Sequence, residues 1–263
     1  MLELAADEQE YFIEKMKEKV FEGKTPSSDP AITLLIGAPG SGKSSLAKKI
    51  NNSVSISTDA VIAEYAQTLG IDIRENFYDN EIGKFAAGVS GELLNEAVRN
   101  KYNIVLDNSS PDTAYLIHKN PPKGYRVSTK VLLVDEYQAA LNAIERKMDT
   151  DDAYTRSRQQ RGSFSSDNVL DVNASFSLDA SQEVVDFIQT CVEKNFPIEV
   201  YEYGRDKPSF RTGDDFDRFV ERLELPSIEQ HLERIERLSK RAQTEDDILG
   251  LNFLKNKMKS GEM

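Results

Sequence analysis

Eight consecutive residues, Gly37-Ala38-Pro39-Gly40-Ser41-Gly42-Lys43-Ser44, complete the pattern Gly-x-x-x-x-Gly-Lys-[Ser/Thr]. These residue types at this spacing suit the holding of a polyphosphate. Glycines let the backbone turn successive N–H groups toward one point, and a helix starting behind the loop aims the positive end of its dipole at the same point. In such a cradle Lys43 reaches the outer phosphates and Ser44 ligates Mg²⁺. Gly37, Ala38, Pro39, Gly40, Ser41, Gly42, Lys43, Ser44 and Ser45 would line ATP. The pattern carries this meaning only between a strand and a helix. Ala31-Ile32-Thr33-Leu34-Leu35-Ile36 is a continuous run suited to a strand buried on both faces, and Ser45 to Ile50 reads as helix.

A phosphate loop serves kinases, switches and motors alike, so the other polar residues must choose among them. Ligands of open parallel sheets lie beyond the carboxyl ends of the strands. There the sequence places Asp59 after Val54-Ser55-Ile56, Asp107-Asn108-Ser109 after Ile104-Val105-Leu106, and Asp135-Glu136 after Val131 to Val134. A carboxylate beside the γ-phosphate accepts the proton of an attacking hydroxyl, and Asp59 is the candidate base. The same residue also suits the N-cap of a helix starting at Ala60. Asp135-Glu136 matches the acid pair of ATPase motors, which keeps a motor as a second reading. A module that binds nucleotide only to control docking is a third. Arg146, with Arg156, Arg158 and Arg161 beyond a polar stretch, supplies guanidinium groups able to grip transferring phosphoryl oxygens. A lid carrying them would exclude water.

The elements that must position these residues alternate as strand and helix, the pattern of an α/β fold of P-loop NTPase or kinase type, a parallel sheet flanked by helices. Ile198 to Tyr203 supplies one more strand, and Val184 to Val192 a helix before it. An amphipathic helix over residues 7 to 23 carries Tyr11, Phe12, Met16, Val20 and Phe21 and ends before Pro26. Residues 227 to 259 read as a helical hairpin or one long helix. The expected organisation is a kinase domain over 1–224, including the N-terminal helix and an arginine lid around 146–165, with a C-terminal helical extension over 225–263 packed on it.

The 263 residues carry a formal net charge of −12, which disfavours long nucleic acid as the main partner. The single cysteine, Cys191, forms no internal disulfide and reads as a core thiol. The N-terminus is too charged for a secretory signal and no membrane-length apolar run occurs, so a cytoplasmic protein is expected.

Taken in order, these features resemble the zeta toxin family of bacterial toxin–antitoxin systems, kinases that phosphorylate UDP-N-acetylglucosamine and so block cell-wall synthesis. The resemblance runs from Phe21-Glu22-Gly23-Lys24 through the loop to Ser57-Thr58-Asp59, where Asp59 matches the family's catalytic aspartate. It continues through Glu92, then Asp107 and Ser109, which match residues that bind the sugar nucleotide. Arg146 in Ile144-Glu145-Arg146 matches the first phosphate-clamping arginine. Arg158 is the choice for the second, with Arg156 and Arg161 as competitors. The family often carries Asp-Asn-Asp where this chain has Ser57-Thr58-Asp59, and Glu-Gly-Thr where it has Asp107-Asn108-Ser109, so the carboxylate at 107 is one carbon shorter. The resemblance also implies an antitoxin partner covering the ATP site. A polynucleotide 5′-kinase shares the loop, the acid and an arginine lid, and is the nearest alternative.

Overall fold

The computed structural model describes residues 6–38, 40–70, 80–107, 110–148, 178–202, 204–223, 226–243 and 245–260. Its elements, in chain order, are α1 (Ala6–Phe21), β1 (Ala31–Ile36), α2 (Lys43–Lys49), β2 (Ser53–Ile56), α3 (Thr58–Leu69), α4 (Asn80–Arg99), β3 (Asn103–Leu106), α5 (Pro111–Lys119), β4 (Arg126–Leu133) and α6 (Glu136–Met148). After residues 149–177 come α7 (Leu178–Lys194), β5 (Ile198–Glu202), β6 (Phe210–Arg211), α8 (Phe216–Glu221), α9 (Ile228–Ser239) and α10 (Glu245–Ser260). The six strands form one sheet in the order β2-β3-β1-β4-β5-β6, so the expected α/β class holds. Two compact units divide the chain: Met1–Leu35 with Ser44–Thr129, and Ile36–Lys43 with Lys130–Met263.

In the first unit the strands are parallel. Ile32 sits opposite Ile104 and Leu34 opposite Leu106, while Val54 and Ile56 face the same two residues from β2. This register brings the ends of β2 and β3 level, and the Asp107 N–H donates to Ile56 O at 3.0 Å. Leu35, Ala47 and Val105 pack with Leu46 and Ile50, fastening α2 to the sheet. Each such aliphatic side chain contributes about 1.5–3 kcal/mol on burial. Phe12, Tyr65 and Phe85 form an aromatic cluster joining α1, α3 and α4, with ring centroids 4.7 to 5.8 Å apart. Phe12 and Met16 are buried, but Tyr11, expected in the same stripe, is 71% exposed because adjacent helical positions lie about 100° apart. Glu64 of α3 is gripped by Lys15 and Lys19 of α1, at 3.0 and 2.5 Å. Those ammonium groups, the Lys19 hydrogen bond first, hold its carboxyl below the usual range.

The second unit is built around α6. Ala139, Ala140, Leu141 and Ile144 are buried against Ile235 and Leu238 of α9 and Leu251, Leu254 and Met258 of α10. The segment after residue 226 is therefore a hairpin of two helices rather than one long helix. α9 opens with a capping box, Ser227 and Gln230 each satisfying the other's backbone N–H. β5 and β6 are antiparallel, with Val200 opposite Phe210, which stacks on Phe216 and Phe219. β6 and α8 escape a periodicity reading because they are only two and six residues long.

Candidate active site

Gly37 to Lys43 belong to the second unit, where the loop is packed tightly. A Cβ on Gly40, whose φ is +81°, would lie 2.5 Å from the Ala139 carbonyl oxygen, and one on Gly37 would lie 2.7 Å from that of Leu132. Only glycine admits these approaches. The loop is also tied from behind, where the Asn142 side-chain amide donates to Gly40 O at 2.9 Å and Gln138 Nε2 donates to Asn142 Oδ1 at 2.8 Å. Lys43 is buried, its ammonium donating to Gly37 O at 2.6 Å and Ala38 O at 2.9 Å. A phosphate oxygen would replace those carbonyls as acceptor. Ser41 Oγ is buried in the same loop with no hydrogen-bond partner, a polar group suited to a further acceptor or donor.

In the first unit Ser44, at the start of α2, donates its hydroxyl to Asp107 Oδ2 at 2.9 Å. The other carboxylate oxygen, Oδ1, is buried without a partner. An uncompensated buried carboxylate oxygen is costly, and a hydroxyl paired with a carboxylate is a hard-oxygen set of the kind Mg²⁺ shares with phosphates. The residues therefore fit the metal. Among the described residues there is no cluster of three His, Cys, Asp or Glu side chains that could hold a metal ion. Asp107 thus sits against Ser44, a contact that its acceptor-side assignment from sequence did not contain.

Asp59 is half-buried at the carboxyl end of β2. α3 opens two residues earlier than expected, at Thr58, and Ser57 O accepts from the N–H groups of Ala60 and Val61 at 3.1 and 3.2 Å. Asp59 therefore lies inside the first turn and is not the N-cap of a helix starting at Ala60. Glu92 is exposed on α4, and with Glu14 foremost and Glu96 it lifts the Lys17 ammonium of α1 above its ordinary value. Ser45 is exposed on α2. Arg146 falls in the last turns of α6. Its side chain, Pro39, Ser109, Arg156, Arg158 and Arg161 lie outside the described residues.

Asp135, the acid of the motor reading, is committed elsewhere. Its Oδ1 caps α6 by accepting from Gln138 N at 2.7 Å and lies 3.1 Å from His231 Nε2, while Oδ2 is buried without a partner. His231 is itself buried, at 3% exposure. Neither Asn142 nor His231 was singled out from sequence. An Asn amid helical apolar spacing and a lone His carry no local signature, and the close contacts of Gly40 with Ala139 and Asn142 join segments a hundred residues apart. Cys191 behaves as read, buried with its thiol pushed up to about 12 by that burial.

A Gly-x-x-x-x-Gly-Lys-Ser loop leaving the first strand of a mainly parallel sheet, with β3 between β2 and β1, defines a P-loop fold of the kinase type. Within that class the chain belongs to the Zeta toxin family, whose model matches residues 17–162, more than half of its length, and whose members are ATP-using kinases. Among solved structures it is similar to a chain of the PezAT chromosomal toxin–antitoxin system of Streptococcus pneumoniae. That match has a TM-score of 0.63 and 17% identity, covering 96% of this chain and 98% of the other. It is also similar to the AvrRxo1-ORF1:-ORF2 complex with ATP, with a TM-score of 0.51 and 12% identity, covering 95% of this chain and 84% of the other. At these identities the structures show the fold. No curated protein matches the sequence. Among the described residues no helix is long and apolar enough to cross a membrane.

Proposed function

We propose that this chain is a cytoplasmic kinase that moves the ATP γ-phosphoryl group onto a hydroxyl of a UDP-activated amino sugar, UDP-N-acetylglucosamine, and so withdraws a cell-wall precursor. The observation that carries the reading is the Ser44–Asp107 pair beside a complete phosphate loop, in a chain of the Zeta toxin family. The loop N–H groups and the α2 dipole hold the phosphates, and Lys43 gives its ammonium to the outer ones. Ser44 Oγ and Asp107 would hold Mg²⁺, which would supply positive charge to the phosphate oxygens. Asp59 takes the proton of the attacking hydroxyl. Arg146 and Arg158 grip the equatorial oxygens as charge builds on them and, on a lid, exclude water. Asp107 and Ser109 orient the acceptor, and Glu92 joins them where the acceptor extends over the exposed face of α4.

The ATP named in the AvrRxo1 complex supports ATP as the donor, and the toxin–antitoxin system named for the PezAT chain supports an antitoxin that covers the ATP site. The testing experiment incubates purified protein with ATP, Mg²⁺ and, separately, UDP-N-acetylglucosamine, other UDP-sugars and a 5′-hydroxyl oligonucleotide, with products read by mass spectrometry. A phosphorylated UDP-N-acetylglucosamine is expected. Transfer to another UDP-sugar would keep the mechanism and change the substrate. Labelling of the oligonucleotide alone would replace the reading with polynucleotide kinase.

A further inference from the structure

The phosphate loop is not held by its own strand and helix alone. Its Gly40 carbonyl accepts from Asn142, and its Gly40 backbone lies against the Ala139 carbonyl, so the first half of α6 is the wall on which the loop rests. That wall is in turn fastened to the C-terminal helices at two places. At its start, the Asp135 carboxylate that caps α6 also lies against the buried His231 of α9, with Nε2 3.1 Å from Oδ1. Ten residues on, Glu145 is bound by Arg234 at 2.6 Å and Arg241 at 3.0 Å, which between them keep its carboxyl below the usual range against the opposing effect of burial. Ala139 and Ile144 fill the space between against Ile235 and Leu238. A helix tied near both ends and packed between has little freedom to slide or rotate.

We propose that His231 is a positioning residue for the phosphate loop, acting through Asp135 and α6 on Gly40. Resting on the nucleotide-binding reading, the proposal extends it to a residue nearly two hundred positions downstream that touches no part of the loop. Asp135 makes the relay sensitive because its Oδ2 already lacks a partner. Loss of the His231 imidazole leaves a largely buried carboxylate held by one backbone N–H, and relief comes from movement at the start of α6, where Gln138 and Asn142 begin the chain of amides leading to Gly40.

The test compares His231→Leu, which removes the donor, with His231→Gln, whose amide can reach the same oxygen. Two readouts are taken at a temperature where every variant is folded: amide hydrogen exchange of the segment 37–44 without nucleotide, and ATP affinity by calorimetry. Phe210→Leu, in the β6 cluster away from α6, serves as a packing control of comparable stability loss. In His231→Leu the loop amides should exchange at least tenfold faster and ATP should bind about tenfold more weakly. In His231→Gln both should stay within about threefold of the parent, and Phe210→Leu should leave loop exchange unchanged. Combining His231→Leu with Asn142→Ala should add little to either single loss in affinity, since both act through the same wall. The proposal is overturned if His231→Leu melts earlier but leaves loop exchange at the parental rate, if Phe210→Leu opens the loop equally, or if the two affinity losses multiply. Failure of the parent to bind ATP would instead remove the nucleotide reading, while the exchange comparison would still decide the role of His231.

Discussion

Gly40 offers the sharpest quantitative test, because one methyl group there meets two separable costs. Gly40→Ala places a side chain at φ +81°, a conformation that costs an L-residue about 1–2 kcal/mol. It also drives that Cβ to 2.5 Å from the Ala139 carbonyl oxygen, well inside van der Waals contact, so the loop or α6 must shift. Forced displacement in a packed interior adds about 1–3 kcal/mol. Gly42→Ala separates the two, since its φ is +96° but the nearest neighbour of an added Cβ is Leu132 Cδ2 at 3.8 Å. Urea denaturation of the nucleotide-free protein should therefore show a loss of roughly 1–2 kcal/mol for Gly42→Ala and roughly 2–5 kcal/mol for Gly40→Ala. Equal losses would mean that the contact with Ala139 is soft and that α6 is not the wall described above. A smaller loss at position 40 would refute the reasoning outright.

Three further outcomes follow from the same geometry. Asp59→Asn keeps the size of the side chain but removes the base, so transfer should fall by roughly 10² or more with ATP affinity little changed, and unchanged turnover in a steady-state assay would remove Asp59 from the chemistry. Asp107→Asn can still accept from Ser44 but offers the metal a neutral oxygen, so a titration of ATP binding against Mg²⁺ should shift by about tenfold to higher concentration. Relief of the unpartnered oxygen should leave nucleotide-free stability undiminished, and a large loss would contradict that account. His118 is held at about 4 by burial, with its Nε2 at 2.8 Å from Thr129 Oγ1. The unfolded chain takes up a proton below about 6.5 that the folded chain refuses, so stability should fall as pH drops from about 6.5 toward 4. The loss is on the order of 1–2 kcal/mol after allowance for partial exposure, and His118→Gln should flatten that part of the urea midpoint profile.

What the sequence revealed reflects how local each feature is. The phosphate loop, β1 and the strands ending near Asp59 and Asp107 were legible because apolar runs, glycine spacing and strand-end acids all lie within a few residues of one another. β4 was read only from Val131, since its first half, Arg126 to Lys130, alternates polar residues on a strand whose Thr129 is nonetheless buried beside His118. The Ser44–Asp107 hydrogen bond depends on β3 pairing next to β1, a fact of strand order rather than of either segment. His231 and Asn142 stayed hidden for the same reason. Their roles arise from partners about a hundred residues away, and neither has a neighbour in sequence that announces it.

The support of the loop by α9 also orders events in time. Gly40 leaves the ribosome long before His231, and at about 5–20 residues per second the interval is on the order of ten to forty seconds. Throughout it the nascent chain carries the full phosphate-binding motif without the helix that braces its wall. Competence to hold nucleotide in its final geometry thus waits for α9. For a kinase of a toxin family, activation that waits for α9 would keep nascent chains shorter than this harmless.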